Sequence, residues 1–567
     1  MKKLRWPILI VLLALVAIAL LLRSQQNPIL QPVPQAVEPT SGGIYTEALI
    51  GSPGRLNPLL DYYNPADRDV DSLLYAGLIS FDDRGVPQAD LAESWGVSQD
   101  GTIYNFAIRP NASWHDGEPV TSEDILFTVE MMRDEAFSLP SDLREFWKQV
   151  EVKALDEKNL QFILPEAFSP FLDYLTFGVL PKHILGGVPP AEIINADFNL
   201  QPVGSGPYQF DRFLSGNGQI TGVVLNAFDD YHLNPPFIDQ IVMRYYPDGP
   251  AGLAAYREGE VQGISRITQD ILAEALKQSE LRLYTGRQPR LTLIYLNLDT
   301  PELPFFQDAT LRRALLMGLN RQWMVDRLLG GQALIADGPI FPGTWAYYDD
   351  IQRVDYDSAE ALEVIKSAGY SIPAEGSSVR EKDGVRFAFE MVYPDTPEHT
   401  RIAEAIQQDW AKLGVDVTIK PVSYDELVTS YLEPRSYQAA LVDLNLARYP
   451  DPDPYPFWDQ AQITGGQNYA QWNDRQASEF LEQARILPDL AERAKVYRNF
   501  QVRFANEIPA LPLFFPVYSY GVDQSVQGVR MGPLFDTSDR FATILDWFLV
   551  AKRSNGAEST SSATPQQ

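Results

Sequence analysis

Between Phe387 and Ile419 the spacing of the apolar residues changes from two to about 3.6 and back to two. Phe387, Phe389 and Met391 alternate with other side chains, as one face of a strand does. Ile402, Ile406, Trp410 and Leu413 then recur at helical spacing, and Gly414 supplies a C-terminal stop. Val415, Val417 and Ile419 alternate again. Strand, helix and strand in about 35 residues make a βαβ unit, whose strands are parallel and whose crossover is right-handed. Upstream, Asp357 and Glu360 open a helix through Leu362 and Ile365 that stops at Gly369. This part of the chain is α/β, with helices packed on a sheet.

The rest of the chain carries the same alternation of elements. Ile44 to Leu49 reads as a short strand before a Gly/Pro loop and a helix from Asp67 to Tyr75. Val150 to Ala154, Leu160 to Leu164, Val223 to Ala227 and Ile238 to Tyr245 read as strands, and Ala251 to Arg257 as a helix ending near Gly259. Leu291 to Leu298 is a strongly apolar strand, and ATLRRALLMGLNRQWMVDRLLGG after it reads as one helix. Leu511 to Tyr520 form the last strands.

Residues 91–132 form the most ordered local pattern. Trp95 and Val97 alternate with polar neighbours, Asp100-Gly101 is a turn dipeptide, and Tyr104, Phe106 and Ile108 share one face of a second strand. Trp114-His115-Asp116-Gly117 reads as a tight loop. Thr121 and Asp124 make a capping box before the periodic set Ile125, Val129 and Met132. Further on, PVGSGPYQF at 202–210 holds Gly204, Gly206 and Pro207, which predict a sharp turn with special backbone angles.

Taken in order, Glu-Ser-Trp, Asp-Gly-x-x-Tyr-x-Phe-x-Ile-Arg and Trp-His-Asp-Gly-x-Pro-Val-Thr-x-Glu-Asp resemble the diagnostic block of family 5 solute-binding proteins, the oligopeptide-, dipeptide- and nickel-binding receptors of ABC importers. Leu56-Asn57-Pro58 with Gly77-Leu78, and the Gly-x-Gly-Pro-Tyr stretch at 204–208, are similar to further blocks of that family. The resemblance spans about residues 43 to 548. It implies a two-lobed periplasmic-binding-protein-like fold of type II, α/β, with an extra subdomain in the first lobe and one N-terminal transmembrane helix before it. The first lobe would take residues 43–82 with 200–295 and 510–548, the variable subdomain 83–199, and the second lobe 296–509. Two chain crossings between lobes would make a hinge.

Composition limits the partners. The 567 residues include 46 Lys plus Arg and 75 Asp plus Glu, a balance of −29. That argues against nucleic acid or an anionic membrane surface as the principal partner. There is no cysteine, so disulfides, zinc-thiolate sites and a lipid-modified cysteine are excluded. Trp6 to Leu22 is an uninterrupted apolar run of 17 residues, flanked by Lys2, Lys3 and Arg5 and closed by Arg23. Its length and basic flank favour an uncleaved signal anchor over a cleaved signal peptide, with the body extracytoplasmic. Residues 1–23 are thus expected to anchor the protein in the cytoplasmic membrane, residues 24–42 to form a linker, and residues 549–567 a disordered tail.

No enzyme signature is present. His115, His183, His232 and His399 include no pair at i, i+3 or i+4, and G-x-S-x-G, Walker and EF-hand motifs are missing. No cofactor or metal is expected. Adjacent acids such as Asp229-Asp230 read as solvated loop residues, and by the resemblance His115 is structural.

The resemblance also suggests where a ligand would lie. The loop Asp61 to Ala66 would border the cleft and bring Tyr62, Tyr63 and Asn64 to it; as residues alone these are equally ordinary packing groups. DLNLARYPDPDPYPFWDQAQITGGQNYAQWN at 443–473 reads either as a rigid Pro-rich loop or as a cleft wall, contributing Asn445, Arg448, Asp451, Asp453 and Trp458. In peptide-binding members an Asp in a comparable Ala-Asp-Tyr-x-x-Pro run pairs with the peptide's amino group. Aligned on Ala447, Tyr449 and Pro452, this chain has Arg448 there, with Asp451 and Asp453 nearby. The expected function is that of a monomeric substrate-binding protein of an ABC importer. It would capture a peptide or peptide-like solute between its lobes and hand it to the permease subunits. The alternative is a solute-sensing domain reporting to a partner protein.

Overall fold

The strand Ala510–Asp523 runs for 14 residues and is buried at every position except Val517. An apolar strand of that length needs cover on both faces. The computed structural model describes residues 38–373, 376–447 and 450–550, and this strand is the seam of a twelve-stranded sheet. Its first part pairs antiparallel with Arg290–Leu296 and with Ala333–Ile335. Its second part pairs with Leu281–Arg287 and Gly263–Ile264. Outward from the first part lie Ala439–Asn445, Ala388–Pro394 and Asp416–Val422. Outward from the second lie Ile44–Ile50, Gln240–Tyr246, Gln219–Ala227 and Tyr208–Gly216.

The apolar cores follow the same division. Tyr518, Tyr520 and Val522 pack with Tyr45, Leu73 and Phe106. Leu511, Leu513 and Phe514 pack with Ile294, Phe389 and Trp410, while Phe515 on the opposite face joins Trp458 and Phe504. The strand Arg290–Leu296 belongs with these latter cores, so the chain changes partners at Gln288 and Pro289.

The βαβ unit is present. Ala388–Pro394 and Asp416–Val422 are parallel, with Phe389 opposite Val417 and Met391 opposite Ile419. Between them the helix Pro397–Lys412 buries Ile402, Ile406 and Trp410, and Gly414 takes a left-handed φ of 79°. Ala92–Val97, Ile103–Ile108, Asn159–Ile163 and Glu151–Ala154 form a separate four-stranded antiparallel sheet. Thr121 and Asp124 close their capping box over the helix Ser122–Arg133, Asp124 Oδ2 accepting from the Thr121 N–H at 2.8 Å.

Two readings from the sequence change. The segment expected to be one helix after Leu298 is broken: Ala309–Met317 ends at Gly318, and a new turn starts at Arg321. A Cβ at Gly318 would stand 2.5 Å from Leu413 Cδ1, and the Asn320 N–H turns to Asp409 Oδ2 at 2.9 Å while its side chain caps Trp323. Gly204 and Gly206 do not take positive φ; they are required by close approach instead. A Cβ on Gly204 would overlap the Leu74 carbonyl oxygen, and one on Gly206 would lie 2.5 Å from that of Leu73. His115 stitches this turn. Its Nδ1 accepts from the Gly204 N–H and its Nε2 faces the Gly206 carbonyl, both at 3.1 Å. That pairing requires a neutral ring, and burial lowers its pKa to about 4.

Candidate functional site at a sheet switch point

Ala388–Pro394 and Ala439–Asn445 are parallel neighbours, and the chain leaves them in opposite directions. From the first it passes through Pro397–Lys412 to Asp416–Val422 on one side. From the second it passes through the helices Arg475–Ile486 and Leu490–Glu507 to Ala510–Asp523, beyond Arg290–Leu296 on the other side. A crevice opens outside the carboxyl ends of strands where such connections diverge, and open α/β sheets bind ligands there.

Five side chains meet at this point. On the face that carries Ile294 and Leu441, Thr292 lies opposite Asp443 and Arg290 opposite Asn445. Thr292 Oγ1 donates to Asp443 Oδ1 at 2.6 Å. His399, in the first turn of the neighbouring helix, sets Nε2 3.4 Å from Asp443 Oδ2, with Nδ1 2.8 Å from Thr396 Oγ1. Arg290 Nη1 lies 3.5 Å from Asp443 Oδ2, and Nη2 lies 4.0 Å from Glu398 Oε1. Burial works to raise the Asp443 pKa, but the His399 contact and the Arg290 charge outweigh it and hold the carboxyl below its usual value. The corner therefore brings a carboxylate, a histidine and a guanidinium together at the carboxyl end of Ala439–Asn445. Among the described residues no group of three or more His, Cys, Asp or Glu side chains is arranged to hold a metal ion.

The residues singled out by sequence fall in several places. Tyr62 and Tyr63 meet edge to face at 4.9 Å, and Tyr63 is 72% exposed. Asn64 caps the helix Pro65–Leu74, its Oδ1 accepting from the Ala66 N–H and its Nδ2 donating to Asp67 Oδ2 at 2.8 Å. Asn445 pairs opposite Arg290 at the end of its strand and accepts from the Ala447 N–H at 3.0 Å. Asp451 is buried against Arg493 at 2.5 Å and accepts from Tyr497 at 3.1 Å. Asp453 takes two hydrogen bonds from Arg485, at 2.8 and 2.7 Å. Trp458 is buried on Phe504, ring centroids 4.8 Å apart, and its indole N–H has no hydrogen-bond partner among the described residues. Arg448 lies outside the described residues.

Asp451 also joins the parts of the fold. Its N–H donates to Asp173 Oδ2 at 2.6 Å. Nearby, Ser169 Oγ donates to the Leu487 carbonyl at 2.5 Å, and the Arg485 guanidinium covers the Phe168 ring. Phe171 and Leu175, which flank Asp173, pack in the core that holds Tyr45 and Phe106.

Sequence reasoning missed Arg290, Thr292, Glu398 and Asp443, and treated His399 only as an unpaired histidine. The one local signal was the alternation in LVDLN, which puts polar Asp443 and Asn445 where the apolar face of Ala439 and Leu441 should continue. A surface depression of about 600 Å³ between Ile44, Tyr256, Glu260 and Glu280 lies at the amino end of Ile44–Ile50, away from the carboxyl ends.

This arrangement defines an α/β substrate-binding protein fold with a sheet switch point. Bacterial extracellular solute-binding proteins, family 5 Middle, match residues 86–465, and the chain belongs to that family. The oligopeptide-binding protein AppA of Bacillus subtilis is 27% identical over 510 residues, 88% of this chain and 91% of that protein. The dipeptide-binding protein of Escherichia coli K12 is 26% identical over 514 residues, 85% of this chain and 91% of that protein. The structure of AppA in complex with a nonapeptide matches with a TM-score of 0.63 at 25% identity, covering 91% of this chain and 100% of that one. The murein tripeptide binding protein MppA in its unliganded open form shares the fold at a TM-score of 0.77 and 18% identity, over 91% of this chain and 99% of its own.

Proposed function

We propose that this protein is the extracytoplasmic substrate-binding component of an ABC importer, and that it captures a peptide or peptide-like solute between two lobes. One lobe is built on the strands around Ile44–Ile50, the other on the βαβ unit, with the crossing at 287–290 and the long strand Ala510–Asp523 between them. The solute would bridge the Asp61–Ala66 loop and the crevice beside Asn445, stabilise the closed form and present it to the permease. The observation that carries this reading is the similarity to the oligopeptide-binding protein AppA across nine-tenths of its length.

The apolar run Trp6 to Leu22, with basic residues on both sides, supports an anchor that holds the receptor outside the cytoplasmic membrane. It lies outside the described residues; among those described, no helix is long and apolar enough to cross a membrane. N-terminal sequencing of membrane-derived protein tests the anchor: retention of Met1 or Lys2 is expected, and a start between Gln25 and Gly42 would refute it.

Mass spectrometry of solute released from purified protein, followed by calorimetry with that solute, tests the function. Peptides are expected to be released, and each that rebinds should stabilise the protein by about 2.7 kcal/mol at a hundredfold excess over Kd. A released non-peptide solute that rebinds, with no peptide binding, would overturn the peptide assignment.

A further inference from the structure

Arg290 opens its strand immediately after Gln288 and Pro289, where the chain changes partners in the sheet. Its side chain is 39% exposed. It stands 3.5 Å from Asp443 and 4.0 Å from Glu398, too far for good hydrogen bonds. Its Nε is buried with no hydrogen-bond partner among the described residues. Asp443 meanwhile is served by Thr292 and His399. Arg290 therefore has neighbours that fix its place, while its terminal Nη donors, at 3.5 and 4.0 Å from the nearest carboxylates, are not committed to short hydrogen bonds. Elsewhere in the fold buried arginines spend these donors: Arg493 on Asp451 and the Ala484 carbonyl, Arg321 on the carbonyls of Ala336 and Val354.

Two features decide which ligand group fits. A guanidinium offers a planar fork of donors that matches a carboxylate and repels an ammonium. The amino end of the sixteen-residue helix Pro397–Lys412, which carries Glu398 and His399 to the corner, adds partial positive charge.

We propose that Arg290 is a specificity-determining residue that receives a carboxylate of the solute at the switch-point crevice. For a peptide solute that group is the C-terminal carboxylate or an acidic side chain. The assignment rests on the peptide-binding reading above and adds to it the charge that the second lobe selects.

The test is a binding cycle. Calorimetry is run with alanine-rich peptides from tripeptide to nonapeptide, each as the free acid and as the C-terminal amide, against the wild-type protein and Arg290→Gln. The expected result is that amidation weakens binding to the wild type by about tenfold, and that Arg290→Gln weakens the acid by a similar factor. The variant should then not distinguish acid from amide. Arg290→Lys, which keeps the charge and loses the fork, should fall between, and thermal melts check that both variants fold. Equal losses for acid and amide in Arg290→Gln, or an amidation effect of the same size in both proteins, would overturn the assignment. Binding of none of these peptides by the wild type would instead remove the peptide reading, and this assignment with it.

Discussion

The N–H of Asp451 donates to the carboxylate of Asp173 across 278 positions of sequence, at 2.6 Å. Both side chains are buried, and Arg493 sits beside them, ion-paired to Asp451. Asp453, Arg485, Tyr497 and Tyr104 complete the surroundings. Two carboxylates share one close guanidinium here. Burial, reinforced by the charge of Asp451, pushes the Asp173 carboxyl well above its usual range, so the folded chain keeps this proton to higher pH than the unfolded chain does.

The sign of the pH effect follows. The unfolded chain releases this proton near pH 4 and the folded chain keeps it to higher pH, so this group's contribution falls as pH rises above about 4. Asp173→Asn, which keeps an acceptor for the Asp451 N–H, should stabilise the protein at neutral pH by about 1 kcal/mol or more. The gain should shrink towards pH 4. Urea titrations of both proteins across that range check it; a constant difference would mean that Asp173 is ionised in place.

Removing the shared cation should act in the other direction. Arg493→Ala leaves Asp451 buried without its counter-charge, and the expected loss is about 3 to 5 kcal/mol. Equilibrium denaturation measures it. A loss below about 1 kcal/mol would mean that Asp451 simply takes up a proton.

His115 should give the opposite slope. Its ring must stay neutral to accept from Gly204, and its pKa is lowered to about 4. Stability from this group is full above the unfolded value near 6.5 and is lost as pH falls towards 4, up to about 3 kcal/mol in all. The change should vanish in His115→Gln, measured by thermal melts from pH 7 to 4.

The glycine turn offers a steric test. Gly204→Ala drives a methyl group into the Leu74 carbonyl and should cost more than about 3 kcal/mol. Gly96→Ala has no atom within 4 Å of the new Cβ and should change stability by about 0.5 kcal/mol at most. Comparable losses at both sites would refute the close-approach explanation.

Tyr63 separates binding from folding. It is exposed, so Tyr63→Ala should leave the melting temperature almost unchanged. Solute affinity should nevertheless fall by about tenfold if its ring covers the ligand. Unchanged affinity in calorimetry would take this loop out of the site.

What the sequence made legible was set by near neighbours. Tyr104, Phe106 and Ile108 are buried together because a strand puts alternate residues on one face, and Thr121 finds Asp124 three residues away. The break at Gly318 was not legible, because Leu413, far along the chain, decides it. Asp443 reads as a stray acid in an apolar strand until Thr292, 151 positions earlier, and His399 are brought to it. Asp451 and Asp453 showed their charge but not the arginines that answer it, which arrive on helices beginning at Arg475 and Leu490. Arg290 carries no local pattern at all; only the divergence of two connections marks its position as a candidate site.

The seam strand gives the molecule a mechanical character. Ala510–Asp523 is hydrogen-bonded to Arg290–Leu296 through its first residues and to Leu281–Arg287 through its last. It is therefore a leaf spring and not a loose tether. If the two sides rotate against one another, as proposed for solute capture, the movement would be absorbed as twist and bend spread over a continuous ribbon. Such a joint resists in proportion to its deflection and returns when released. Small packing changes beside Phe515, Pro516 and Val517 would thus reset its resting angle without touching any group that meets a solute.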